Sequence, residues 1–332
     1  VSGITDLIAA LRDPATLPKL DGPRWTALLS VAKAEVLLGT LAAKAEGLDL
    51  PPVVADLLAA QRAATRVAHT RALWEAECAR AALAPLGITP ILLKGTAYIA
   101  AGLSAGIGRQ IGDLDILVPH DRLEEAEAAL LAAGWQWLKP DPYDDAYYRR
   151  WMHELPPLIH REREAMIDVH HTILPLTHRK RADAAAMIAA VVVVGDGWRV
   201  LSPHDRIIHC AAHCIADGEL DGGLRNLWDM HCLLTEVTDW SALAARARLH
   251  ELLPEVVCAA RLAADIYGTS IPSGWARWSR PDRWCRLRLT ARDDWGRETR
   301  KFLRGIFYLR SHLLRMPPLM LARHLWTKWR RA

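Results

Sequence analysis

Cysteine is sparse in this chain of 332 residues: six, at Cys78, Cys210, Cys214, Cys232, Cys258 and Cys285, with no Cys-x-x-Cys pair. That excludes a disulfide-stapled scaffold and leaves buried thiols of a reducing compartment as the expectation. Long hydrophobic runs are missing too. The longest, Ala184 to Val194, is broken by Gly195-Asp196-Gly197 and is too short to span a bilayer. The opening residues carry Asp6, Arg12 and Asp13 rather than an apolar stretch with a cleavage site. No signal peptide is therefore expected, and the cytoplasm is the predicted location. Internal repeats and low-complexity tracts do not occur. What is present, 51% apolar and 24% charged residues, is the balance of a globular protein long enough for two domains.

Charge is unevenly placed. Residues 280–332 hold 15 Lys/Arg and 4 Asp/Glu, a net +11 against +4 for the whole chain, which leaves −7 elsewhere. Such asymmetry points to an acidic partner for the tail. Aromatics interleave with the arginines there: Trp284, Trp295, Phe302, Phe307, Tyr308, Trp326 and Trp329. Three readings stand: packed helices with a basic outer face, a nucleic-acid surface using charge and stacking, or a helix lying on an anionic membrane.

The apolar periodicity changes along the chain. Trp25, Leu28, Leu29, Val36, Leu37 and Leu41 recur at near-helical spacing, and Pro51-Pro52 opens a second helix that runs to Leu86 before Gly87. From Ile88 to Thr172 the texture is of short strands: Ile91–Lys94, Asp113–Val118, Trp135–Leu138, Leu155–His160 and Met166–Thr172, with an amphipathic helix over Asp121–Ala133. Val191–Val194 and Trp198–Leu201 flank a turn and predict a hairpin, and beyond Pro203 the pattern is helical to the end. The expected fold class is α+β, a small mixed sheet between helical segments. Its expected domains are an N-terminal helical segment at 1–87, a core at 88–202 and an all-helical C-terminal domain at 203–332.

The most chemically specific stretch is Gly112-Asp113-Leu114-Asp115-Ile116-Leu117-Val118. On a strand Asp113 and Asp115 share one face, about 7 Å apart, while Leu114 and Ile116 point into a core. Neighbouring like charges repel, and a fold tolerates them mainly with a cation between them. Hard carboxylate oxygens suit magnesium, which fills its octahedron with water and substrate phosphate. A solvated strand edge is the plain alternative. His209, Cys210, His213 and Cys214 place like residues at i and i+4 on a helix, but no second ligand group has a zinc-site spacing, so a buried helix is the expectation.

Ile91-Leu92-Leu93-Lys94-Gly95-Thr96, then Arg109-Gln110-Ile111-Gly112-Asp113-Leu114-Asp115, then Ile167-Asp168-Val169-His170, resemble the bacterial uncharacterised nucleotidyltransferase family within the polymerase-beta-like nucleotidyltransferase superfamily. The resemblance spans roughly residues 90 to 235. Gly95-Thr96 stands where the wider superfamily has Gly-Ser or Gly-Gly, and Gly112 where relatives often have Ser. The resemblance implies transfer of a nucleoside monophosphate from a nucleoside triphosphate, with magnesium or manganese held by Asp113, Asp115 and Asp168. It assigns triphosphate binding to Lys94, Gly95, Thr96, Arg109 and His170. Asp168 would complete the acceptor-side metal site or take a proton. Gly95 would let phosphate approach a helix N-terminus, and Arg109 would offer a planar fork. Lys94 can equally be a strand-end residue laid along the surface, and Asp168 an exposed edge residue. The acceptor is open: small molecule, peptide, protein or RNA. The rival classes are a metal-dependent glycosyltransferase and a nucleotide- or RNA-binding protein without turnover. The first expects a nucleotide-binding βαβ region ahead of the motif, where this sequence reads as helical.

Overall fold

The computed structural model describes residues 2–220, 223–316, 321, 322 and 326. Four helices open the chain: α1 (Gly3–Arg12), α2 (Gly22–Ala34), α3 (Leu38–Lys44) and α4 (Pro52–Leu83). Asp21 caps α2 by accepting from the Arg24 N–H at 2.9 Å, and Pro52 supplies the preset backbone of the first turn of α4. A short 3-10 turn then ends at Gly87, whose φ of +68° lets the chain reverse toward the sheet.

The sheet has seven strands in the order β3-β4-β5-β2-β1-β7-β6. They are β1 (Ile91–Leu92), β2 (Leu114–Leu117), β3 (Trp135–Trp137), β4 (Leu158–His160), β5 (Met166–His170), β6 (Val192–Val194) and β7 (Trp198–Val200). β2 pairs parallel with β5 and antiparallel with β1, so the sheet is mixed. The hairpin expected around Gly195 forms, and β7 also joins β1 in parallel, extending the sheet. Between strands lie α5 (Lys94–Ala100), α6 (Leu123–Ala132), α7 (Pro142–Trp151) and α8 (Ala184–Ala189). Then follow α9 (Pro203–Ala211), α10 (Gly223–Thr235), α11 (Trp240–Leu249), α12 (Leu253–Tyr267), α13 (Arg280–Leu289) and α14 (Lys301–Arg315). This is the α+β class expected, with helices on both sides of the sheet in sequence. One buried apolar cluster runs from Leu28 and Leu83 through Ile116 and Val169 to Leu227 and Leu262, joining helices to sheet.

Several local readings need correction. The expected strand Ile91–Lys94 stops at Leu92, because Lys94 takes a left-handed φ of +46° and already begins α5. Likewise β2 starts at Leu114, leaving Asp113 in the bend before it. α7 has no counterpart in the apolar pattern; it is polar and half-exposed. The C-terminal part is not continuously helical: Arg292 and Glu298 form a bridge in a turn between α13 and α14.

The aromatic tail splits. Phe307 is buried, whereas Phe302 is 84% exposed, Trp295 66% and Trp284 51%, so the outer face there is aromatic as well as basic. Arg323, Lys328, Trp329, Arg330 and Arg331 lie outside the described residues. No helix among the described residues is long and apolar enough to cross a membrane.

Candidate functional site

Register builds the site. β2 and β5 align Asp115 with Asp168 and Leu117 with His170. Parallel neighbours with aligned registers send paired side chains to the same face, while Ile116 and Val169 go to the core. Asp113, in the bend ahead of β2, completes the group: one carboxylate oxygen from each of Asp113, Asp115 and Asp168 falls within 4.8 Å of the others. This spacing and hard oxygen chemistry fit a divalent cation.

Asp115 is the anchor. It is 4% exposed, and its Oδ1 accepts from Lys94 Nζ at 2.6 Å and lies 3.0 Å from His170 Nε2. Burial alone would raise its pKa; Lys94 and His170 overcome that and hold it well below the carboxylate range. Conversely, burial works against the Lys94 charge, and the Asp115 carboxylate outweighs it. Burial and the charges of Glu154, Asp115 and Asp113 push Asp168 from 3.8 up to about 7. The strand pair thus carries one carboxylate locked in its charged form and one poised to gain or lose a proton.

The remaining sequence-picked residues divide. Gly95 lies in α5 with Arg109 and Ile111 against its Cα: a Cβ there would meet Ile111 Cδ1 at 2.4 Å and Arg109 Nε at 2.5 Å. Thr96 is 2% exposed, and its hydroxyl has no hydrogen-bond partner among the described residues. The Arg109 fork donates to Asp229 on α10, which Arg225 also grips, and its carbon sits 5.8 Å from the Tyr98 ring centroid. Arg109 therefore ties the helical half to the sheet. Asp229 gave no sequence signal, being one of several polar residues on α10, with Arg225, Asn226 and His231, and far in sequence from Arg109.

Glu154 and His153 were also missed. They follow α7, and Glu154 bridges to His170, with the Leu155 N–H donating to the Val169 carbonyl at 2.9 Å. His-Glu with a His on the next-but-one strand was the available signal. His171, just past the end of β5, packs edge-on against His120 with ring centroids 4.7 Å apart and its Nε2 3.2 Å from the Met152 carbonyl oxygen.

The His-Cys cluster does not converge. α9 ends at Ala211 and Ala212–Ala216 continues as a π-helical turn, which changes the angular spacing of residues four apart. His209, Cys210 and Cys214 are buried, while His213 turns out to meet Asp217 at 2.9 Å.

A cavity of about 340 Å³ opens beside Asp113, between α4 and the start of β2 and β5. Ala68, Ala72 and Met166 make its apolar wall, and Arg71 and Glu164 its polar edge.

The family described as uncharacterised nucleotidyltransferase matches residues 21–268. No curated protein matches the chain. Among solved structures, the crystal structure of JHP933 from Helicobacter pylori overlaps 74% of this chain and 96% of its own, at 13% identity and a TM-score of 0.32.

Proposed function

The chain belongs to the uncharacterised nucleotidyltransferase family, and from that premise we propose that it moves a nucleoside monophosphate from a nucleoside triphosphate to an acceptor hydroxyl or phosphate. The observation that carries this reading is the convergence of Asp113, Asp115 and Asp168 on one point, with Lys94 against Asp115. Held by these carboxylates, magnesium, or manganese in its place, would neutralise the triphosphate and the departing pyrophosphate.

The protein's own groups do the rest. Lys94 and the His170 contact keep Asp115 ionised and fix its Oδ1, leaving Oδ2 for the cation. The buried Thr96 hydroxyl, without a partner among the described residues, is left to meet phosphate, and Gly95 keeps the backbone slim beside it. Arg109, fastened to Asp229, contributes positive field across the site rather than a free fork. Asp168, on the strand beside Asp115, would either complete the acceptor-side metal site or take the proton released by the attacking acceptor. The bond formed joins acceptor oxygen to the α-phosphorus, and the bond broken releases pyrophosphate. The cavity beside Asp113 is of a size that suits a nucleoside or a small acceptor.

We assign the catalytic core to 88–202, between a helical segment at 1–87 and a helical C-terminal domain at 203–332. A cytoplasmic setting, rich in triphosphates and magnesium, goes with this reading. β1 is the one strand ahead of the Asp-x-Asp among the described residues, which disfavours the glycosyltransferase class. Incubation with each α-labelled nucleoside triphosphate, magnesium and a cell extract tests the proposal. Label should move to one acceptor fraction and release pyrophosphate; no transfer with any triphosphate would refute it.

A further inference from the structure

Beside the carboxylates lies a second group of ligand-type atoms with different chemistry. His153, Glu154 and His170 each bring one donor within 4.8 Å of the other two. The bend after α7 turns the consecutive His153 and Glu154 to the same place, which a regular strand would not do.

The individual distances are informative. His153 Nε2 lies 3.6 Å and His170 Nδ1 3.4 Å from the same Glu154 oxygen, Oε2. Both exceed the usual N–H···O range of roughly 2.7–3.2 Å. Donors bound at about 2.1 Å to one tetrahedral zinc stand about 3.4 Å apart, so the observed separations fit the edges of such a site. His170 is 1% exposed, yet its Nδ1 has no hydrogen-bond partner among the described residues. A buried ring nitrogen left without a partner and facing a carboxylate oxygen calls for a ligand.

The other His170 nitrogen, Nε2, faces Asp115 at 3.0 Å, which is the carboxylate–histidine–metal arrangement that fixes a ligating imidazole. Two imidazoles and one carboxylate with a fourth position open suit zinc, and disfavour magnesium, which prefers oxygen. We propose that His153, Glu154 and His170 form a binding site for a transition-metal dication of the zinc class, separate from the three-aspartate site. The proposal does not depend on nucleotidyl transfer, since its readout is metal coordination rather than that activity.

Titrating the metal-free full-length protein with zinc, and separately with cobalt(II) as a spectroscopic probe, tests it. The wild-type protein should bind zinc through two imidazoles, seen as histidine coordination in X-ray absorption and as a cobalt(II) visible band. His153→Gln and Glu154→Gln should each weaken zinc about tenfold or more, the scale of losses at supporting positions alone. The Asp113→Asn/Asp168→Asn double variant should keep the site. Should His153→Gln fail to fold, as judged by circular dichroism, the wild-type coordination spectrum still decides. Oxygen-only coordination, no binding, or zinc affinity that falls with the aspartate pair but survives both glutamine variants would overturn the proposal. Absence of magnesium-dependent transfer in the wild-type protein, with the zinc site intact, would refute the enzymatic reading alone.

Discussion

In the sheet, Asp115 is 4% exposed and holds Lys94 at 2.6 Å; on α13, Arg286 holds Asp265 with half of its side chain in water. The first pair gave up its hydration on folding and is kept by geometry, whereas the second is screened and nearly free. The contrast separates where charge is abundant from where it is constrained. Residues 280–332 hold the positive excess, yet the buried charges that meet at the strand pair, Lys94, Asp115 and His170, sit in the net-negative remainder. Constrained groups are the ones whose protonation and position a fold controls, and chemistry needs such control.

The largest expected effect falls on the constrained side. Asp113→Asn should lower the transfer rate by about 3–4 kcal/mol of transition-state stabilisation, with the melting temperature little changed. Asp115→Asn should also abolish transfer, and in addition should destabilise the fold by about 3 kcal/mol, because Lys94 loses its buried partner. Denaturant unfolding of both variants measures the difference; equal stability would erase the contrast between the two carboxylates.

Next comes Arg109, which the sequence offered as a phosphate fork and the structure pairs with Asp229. Asp229→Ala should cost about 3–5 kcal/mol of stability by stranding Arg109 and Arg225. If Asp229→Ala instead left stability intact and only weakened nucleotide binding, Arg109 would be a substrate group after all.

A smaller effect concerns pH. Asp168 is raised from 3.8 to about 7, so its contribution to the stability of the metal-free protein is full below the unfolded value and is lost as pH rises through about 7. A cation binds the deprotonated form. The rise in melting temperature on adding magnesium should therefore grow between about pH 5 and 8, tracked by thermal melts with and without the ion. A shift independent of pH would contradict the placement of Asp168 among the ligands.

The smallest effect lies on the exposed side. Arg286→Gln should cost about 0.5 kcal/mol or less and leave nucleotide binding alone. If the basic face grips an acidic acceptor, Lys301→Gln with Arg304→Gln should flatten the salt dependence of acceptor binding; a flat response in the native protein would remove that role.

Much of this was legible because it rested on local periodicity. Alternation through Leu114-Asp115-Ile116, and again around Asp168 and His170, marked which side chains share a face, and β2 and β5 then needed only adjacent registers, while Asp113 joins them from the bend ahead of the strand. What stayed hidden depended on pairing across distance. Nothing near Arg109 marks Asp229 on α10 as its partner, and Glu154 reaches His170 through a bend after α7, a helix too polar to announce itself by an apolar stripe. Lys94 was misread by one conformational step, since a positive φ in a non-glycine residue is set by its surroundings. His213 departed from His209 because a π-turn, not a regular helix, joins them.

The central claim is that the three aspartates serve transfer of a nucleoside monophosphate. Matched triphosphates labelled at the α- or the γ-phosphate, given to the wild-type protein and to Asp113→Asn with magnesium and the responsive acceptor fraction, test it most directly. The account predicts that α-label alone reaches the acceptor, and that Asp113→Asn transfers almost none. Label arriving from the γ-phosphate, or undiminished α-label transfer by Asp113→Asn, would contradict it.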